Sequence, residues 1–436
     1  MSDELERIPD TRFKRASKII GTGAKVGGNY LKHYAKRIVN LPSTREDLDA
    51  ANAEDIYNTL SELKGSALKM AQMMSMDQQV LPKAYRDVFQ RSLFNAPALS
   101  YPLVKQTITK QLGTAPEVLF SSFTKEAVHA ASIGQVHKAQ IEDIQLAVKI
   151  QYPGVADAIR SDIRLLKPFA LRMLNVKSQD IEPYLEEIQA KLIEETDYRL
   201  ELKQGMEMYE IAKNFPKIRV PLYYPELSND RVLSMEWIDG RLLPEFISNS
   251  TVEERQQIGQ ELWDFFCYQL KISGFVHADP HPGNFMVDNE QRLVLLDFGC
   301  MKRIDTTFQQ SYLALLNPEL LKDDAQCMEK LEKAGFINEN DSASTRQLLH
   351  NRMSSAIALL ARPFHDTQFD FASEKYFEEI TIMGEGFAKD SELRKVNAAS
   401  GSKDSLYIMR SFFGVYQLLH QLGAKVRHTY PLGQSM

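Results

Sequence analysis

Cysteine is scarce in this chain: Cys267, Cys300 and Cys327 are its only three. Thiols so few and scattered make neither a disulfide framework nor a zinc site, and they suit a reducing compartment. No run of eighteen apolar residues occurs, so no transmembrane helix is expected. The opening MSDELERIPD is acidic and polar and lacks the apolar stretch of a secretory signal. These absences read as a cytosolic protein, at most peripheral to a membrane. Positive charge is in deficit too. A formal net charge of −6 argues against nucleic acid as a partner of the bulk surface. The 436 residues, 44% hydrophobic and 25% charged, suit a globular protein of two or three packed lobes.

What is present is unevenly placed. Between Arg7 and Arg37 nine Lys or Arg stand against one acid, Asp10, with Phe13, Ile19, Ile20, Val26, Tyr30 and Leu31 among them. Gly21, Gly23, Gly27 and Gly28 argue against one continuous helix there. Residues 1–45 therefore read as a basic arm, either docking on anionic lipid or a partner, or a flexible, charge-solvated tail, or a strap lying on its own domain. Residues 46–117 read as helices. Asp55 to Met76 places Ile56, Leu60, Leu63, Ala67, Met70 and Met74 at helical spacing. Lys69 and Gln72, three apart, project on one face. Leu81-Pro82 closes that segment. Tyr101 to Leu112 forms the next helix, with Ser100 as its cap and Pro102 in its first turn.

From 118 to 240 the pattern is β-rich with one long helix. Ala130-Ala131-Ser132-Ile133-Gly134-Gln135 is a small-residue turn between strands, and Leu146-Ala147-Val148-Lys149-Ile150 is an apolar strand with one lysine. A lysine there is costly unless it meets an anion. Tyr184 to Gln204 reads as one helix bearing Glu195, Asp197 and Glu201; Asp197 and Glu201 share a face if it is regular. One acid of this segment is expected to pair with Lys149, and periodicity does not choose between Glu195 and Glu201. Arg231 to Gly240 is a strand ending in an acid and a glycine.

Residues 241–436 read as a helical lobe, with Thr251 to Ser273 leading into the densest chemistry of the chain. There His277-x-Asp279 is followed by Asn284 and then by Asp297-Phe298-Gly299. The intervening FMVD and RLVLLD predict a hairpin turning at Asn289-Glu290. Asp279 can accept a proton from an attacking hydroxyl, while Asn284 and Asp297 are hard oxygen ligands of the kind Mg²⁺ takes beside nucleotide phosphates. That order of residues is the one protein kinases use. In the same comparison Lys149 resembles the phosphate-holding strand lysine, and Met235, Glu236 and Trp237 fall at the adenine-reading hinge. Asp305 to Leu422 reads as helices with no motif of its own.

Over residues 50 to 425 the chain resembles the UbiB-type atypical kinase-like family, associated with ubiquinone and other isoprenoid lipids. Five motifs carry the resemblance. The Lys-x-Gly-Gln helix corresponds to Lys69-Met70-Ala71-Gln72, the alanine-rich nucleotide loop to Ala130 through Gln135, and Glu-x-Asp-Tyr to Glu195-Thr196-Asp197-Tyr198. The catalytic and metal loops correspond to His277 through Asn284 and to Asp297-Phe298-Gly299. Ala71 stands where the family usually has glycine, and His129 where the loop's first alanine is expected.

The resemblance implies an α+β, two-lobed protein-kinase-like fold with an added N-terminal helical extension over the nucleotide cleft. It implies ATP and Mg²⁺ as cofactors, Lys69 and Gln72 turned toward the site, and a small or lipid-linked substrate in place of a folded protein. Two other functions fit the residues: a phosphotransferase of the aminoglycoside or choline kinase type, and a nucleotide-binding scaffold for a lipid-synthesis complex.

Overall fold

Leu146, Val148 and Ile150 alternate with Ala147 and Lys149, and the alternation divides them between the two faces of a strand, Ile144–Gln151. The first three are buried, and Lys149 lies on the opposite face, partly covered. The computed structural model describes residues 12–38, 44–63, 65–76, 85, 88, 98–131, 133–174, 178–365, 367–389 and 403–428. Ser132 and Leu81-Pro82 fall outside the described residues, as does the side chain of Gln72.

The chain divides into two compact units, 1–203 with 222–237, and 204–221 with 238–436. The segments read from the sequence, 1–45, 46–117, 118–240 and 241–436, are distributed over these two units. The arm, the helical extension and the sheet fall in one unit, and residues 204–221 go with the other.

In the first unit an antiparallel sheet runs Ser122–Phe123, Gly134–Ile141, Ile144–Gln151, Val232–Glu236, with His129–Ala130 also paired to Gly134–Ile141. Its apolar face joins Val104 and Ile108 of the helix Tyr101–Leu112, with Phe120, Ile133 and Tyr152, in one core. Ser100 holds the N-cap position of that helix, but its side chain makes no capping bond.

A second core is helical, built from Ile19, Leu60, Leu63, Leu68, Ile159, Ile163, Leu185, Ile188 and Leu192. Two expectations are corrected here. Arg12–Ile38 is one continuous 27-residue helix despite its glycines. Arg15, Ile19, Thr22, Val26 and His33 fall on its buried face. The Arg15 guanidinium donates from Nε to Asp162 (2.8 Å) and from another nitrogen to the carbonyl of Leu63 (2.8 Å). Glycine weakens an exposed helix by about 1 kcal/mol per residue, whereas breaking a buried ion pair costs roughly 3–5 kcal/mol, so docking overrides propensity. Conversely, Asp55 to Met76 is not one helix. Arg45–Leu63 and Gly65–Met76 are separated at Gly65, whose φ of +62° favours glycine. A Cβ there would lie 2.8 Å from Val155 Cγ2.

His137, fully buried beneath the sheet, donates from Nδ1 to the Thr124 carbonyl (2.7 Å) and accepts at Nε2 from Gln135 (2.8 Å). Both nitrogens are satisfied in the neutral ring, and burial holds its pKa below the ordinary histidine value. An unfolded histidine takes up its proton near pH 6.5 and the folded one resists, so the unfolded state binds more protons below that pH. Stability from this site is therefore complete above about pH 6.5 and lost as pH falls. Urea unfolding at pH 7.5 and 5.5 checks this: His137→Asn is expected to lose less stability on acidification than wild type. Equal losses would remove His137 as the cause.

In the second unit a capping box between Thr251 and Glu254 starts the helix Val252–Tyr268. A π-helical turn, Gln269–Ser273, and Gly274 at φ +58° then deliver the short strand Phe275–His277, which pairs with Met301–Arg303. A four-stranded sheet runs Ile218–Arg219, Leu293–Leu295, Phe285–Asp288, Gly240–Leu242. Its central hairpin turns over 289–292, a longer connection than the expected two-residue turn. Asp288 Oδ1 accepts from the amides of Glu290 (3.0 Å) and Arg292 (2.9 Å). Burial works to raise the Asp288 pKa, but hydrogen bonds from Arg292 and Arg219 outweigh it and hold the carboxyl below its usual range. Helices fill the rest, around Trp263, Phe266, Phe364, Phe412 and Tyr416. The short antiparallel pair Gln368–Asp370 with Lys425–Arg427 lies where only helices were expected.

Candidate active site

Each unit carries one cluster of the residues singled out from the sequence. In the first, Lys149 Nζ lies 2.8 and 2.9 Å from the two carboxylate oxygens of Glu201 and 5.1 Å from the centre of the Tyr198 ring. The choice left open between two acids falls on Glu201. Glu195 pairs instead with Lys69, at 2.9 Å. On a regular helix, residues six apart point roughly 120° away from each other. The chain adds a break. Ser178–Glu195 ends, Thr196 turns, and Tyr198–Ala212 begins with the Leu200 amide donating to Asp197 Oδ1 (3.0 Å). Asp197 is thus an exposed capping residue, and the regular helix from Tyr184 to Gln204 is corrected. Gln151 holds the break by donating to the Thr196 carbonyl (2.9 Å), while its own oxygen accepts from Arg231.

The alanine-rich loop does less at its far end than the sequence suggests. Ala131 closes a turn by donating to the Gly134 carbonyl (2.8 Å), and Ala130 pairs with Gln135 across the strands. Ile133 belongs to the core and Gln135 is buried, accepting from the Leu99 amide (2.7 Å). These two side chains are engaged within the protein. His129 is exposed and pairs in the sheet with Val136, so it does not crowd the loop. At Gly134 a Cβ would lie 2.7 Å from the Ile150 carbonyl oxygen and 2.9 Å from Tyr198 Oη. Close packing, as much as freedom of φ, explains that glycine. At the expected hinge the Glu236 amide donates to the Leu222 carbonyl (2.7 Å) and the Trp237 amide to that of Gln145 (2.9 Å). Neither N–H can read a base without giving up that bond, so the hinge assignment is not carried by these amides. Met235 is buried within the strand.

In the second cluster His277 is the organiser. Its Nδ1 accepts from the Asp279 amide (3.2 Å), which makes Nε2 the protonated nitrogen, and that nitrogen donates to the Asp297 carbonyl (2.9 Å). The loop that carries Asp279 and the Asp-Phe-Gly segment are thereby tied together, with Phe298 fully buried. The Asn284 side chain donates from Nδ2 to the Asp279 carbonyl (3.0 Å), a bond that does not use its oxygen. Asp297 Oδ1 accepts from the Gly299 amide (2.9 Å). Among the described residues no three of His, Cys, Asp or Glu gather as a metal cage. One carboxylate and one amide oxygen instead suit a cation that completes its shell with phosphate and water, as Mg²⁺ does. Asp279 Oδ1 accepts from Arg410 (3.1 Å). Arg410 escaped the reading of the sequence, because its helix, Lys403–Leu422, sets it among mainly apolar residues and carries no motif. The one available signal was an arginine and a glycine four apart, Arg410 and Gly414, within that apolar run.

The model of the ABC1 atypical kinase-like domain matches residues 93–331. The chain is 28% identical over 415 residues to the probable serine/threonine-protein kinase abkA of Dictyostelium discoideum, covering 90% of this chain and 71% of that one. It is 26% identical to the mitochondrial atypical kinase COQ8 of Saccharomyces cerevisiae, over 96% of this chain and 83% of the relative. Among solved structures, that of Rv3197 with erythromycin, from Mycobacterium tuberculosis, superposes with a TM-score of 0.60 at 28% identity, covering 86% of this chain and 93% of that one. The fold is accordingly kinase-like. The cytosolic reading is overturned, since the COQ8 relatives are mitochondrial proteins.

Proposed function

The chain belongs to the ABC1 atypical kinase-like family, and from that membership we propose an ATP- and Mg²⁺-dependent phosphotransferase or ATPase of the COQ8/UbiB type, serving ubiquinone or another isoprenoid lipid. The observation that carries this reading is the two-oxygen pairing of Lys149 with Glu201, which holds an ammonium in the orientation that phosphate binding requires. Lys149 takes the phosphates, and Glu201 keeps it from swinging away. Asn284 and Asp297 hold the metal, and Asp279 orients a nucleophile or accepts its proton. ATP supplies the transferable phosphoryl group, and Mg²⁺ neutralises its charge. Lys69, fixed on Glu195, favours a small or lipid-linked acceptor, and the mycobacterial relative solved with erythromycin supports a small-molecule one. The test is phosphate release from ATP with Mg²⁺ or EDTA, with and without quinone-precursor analogues and lipid vesicles. Turnover that needs Mg²⁺ and rises with a precursor or vesicles is expected. Nucleotide binding with no turnover under any of these conditions would favour the scaffold.

A membrane surface is the partner we assign to the N-terminal helix. Its outward face carries Lys18, Lys25, Lys32 and Lys36, all exposed, beside Ile20 (70% exposed) and Leu31 (74%). Lysines along one edge and aliphatic side chains along the other suit an anionic bilayer. Changing the four lysines to glutamate should abolish flotation with vesicles containing anionic lipid and leave the fold intact. Unchanged flotation would remove this assignment.

A further inference from the structure

The loop His277-Ala278-Asp279-Pro280-His281-Pro282-Gly283-Asn284 contains no lysine or arginine, yet its catalytic candidate, Asp279, meets a cation. That cation is brought by a helix 131 residues further along the chain. Three positions of Lys403–Leu422 touch the loop. Arg410 donates to Asp279 Oδ1 (3.1 Å), and the Ser411 hydroxyl donates to the His277 carbonyl (2.8 Å). At Gly414 a Cβ would fall 2.4 Å from Pro280 Cγ and 2.7 Å from the Pro280 carbonyl oxygen. Residues i, i+1 and i+4 fall within an arc of about 100° on a helix, so glycine lets that side lie close on the loop while the arginine reaches the carboxylate.

We infer that Arg410 is a positioning residue for the reaction: it sets the orientation of the Asp279 carboxylate from outside the catalytic loop. The inference rests on the phosphotransferase or ATPase reading above. Stability alone is a poor reason for this pair. Its side chains are 25% and 32% exposed, and a partly exposed ion pair contributes only modestly to folding. A charge-assisted hydrogen bond to one carboxylate oxygen does, however, restrict rotation about the side chain, and displacement of a catalytic group by about 1 Å costs on the order of 100-fold in rate.

The test compares Arg410→Ala, Arg410→Lys and wild type in Mg²⁺-dependent ATP turnover, with melting temperature followed for each. Arg410→Ala is expected to lose kcat by about 10- to 100-fold while KM for ATP and the melting temperature stay near wild type. Arg410→Lys should recover part of kcat, and guanidinium chloride at non-denaturing concentration should recover part of it in Arg410→Ala. Wild-type kcat in Arg410→Ala would overturn the inference alone. So would a loss matched by unfolding in both variants and not relieved by guanidinium. Absence of turnover in wild type would instead remove the functional reading, and this inference with it.

Discussion

Asp297→Asn is expected to lower Mg²⁺-dependent nucleotide turnover by about 100-fold or more with little change in melting temperature. The substitution is nearly isosteric. An asparagine oxygen can still accept from the Gly299 amide, and the Asp297 backbone carbonyl, which receives the His277 proton, is untouched. What disappears is one negative charge from a set that otherwise offers only the Asn284 amide oxygen. A hard divalent cation loses most of its reason to bind there. Raising the Mg²⁺ concentration should restore part of the rate. Turnover equal to wild type at low Mg²⁺ would refute the metal assignment.

Lys149→Met should be costly to stability as well as to activity. Glu201 has 2% of its side chain exposed and Lys149 19%; removing the lysine leaves a buried carboxylate without its counter-charge. Breaking such a pair costs roughly 3–5 kcal/mol, whereas replacing both partners by uncharged groups can be close to neutral. Glu201→Gln should therefore destabilise less than Lys149→Met, and the double substitution should be more stable than Lys149→Met alone. Urea unfolding of the four proteins measures this as a double-mutant cycle. Strictly additive losses would mean that the two side chains do not act as a pair. Turnover is expected to be lost in Lys149→Met and in the double variant alike.

How much of this was legible depended on whether the determining contact was local. The hairpin from Phe285 to Leu295 could be read because two short apolar runs and the polar turn between them are written within a dozen residues. Lys149 could be singled out because a charge in an apolar strand demands an anion. Its partner could not, since assuming a regular helix hid the break at Thr196-Asp197; Asp197 as an N-cap was the available clue. The continuity of Arg12–Ile38 rests on Arg15 reaching Asp162, 147 residues away, and local propensity carries no trace of that contact. Gln135 looked like part of a nucleotide loop because its partner, the Leu99 backbone, is 36 residues upstream. Arg410 was invisible for the same reason. Motifs announced which side chains matter, and tertiary packing decided which of them hold each other.

The central claim is that nucleotide binding by this protein depends on Mg²⁺ and draws on both Lys149 and Asp297. Titration calorimetry with ADP, in Mg²⁺ and in EDTA, tests it most directly on wild type, Lys149→Met and Asp297→Asn, with folding verified for each. The account predicts binding to wild type that requires Mg²⁺ and is weakened by both substitutions. Binding of equal strength in all three proteins, or indifferent to Mg²⁺, would contradict it.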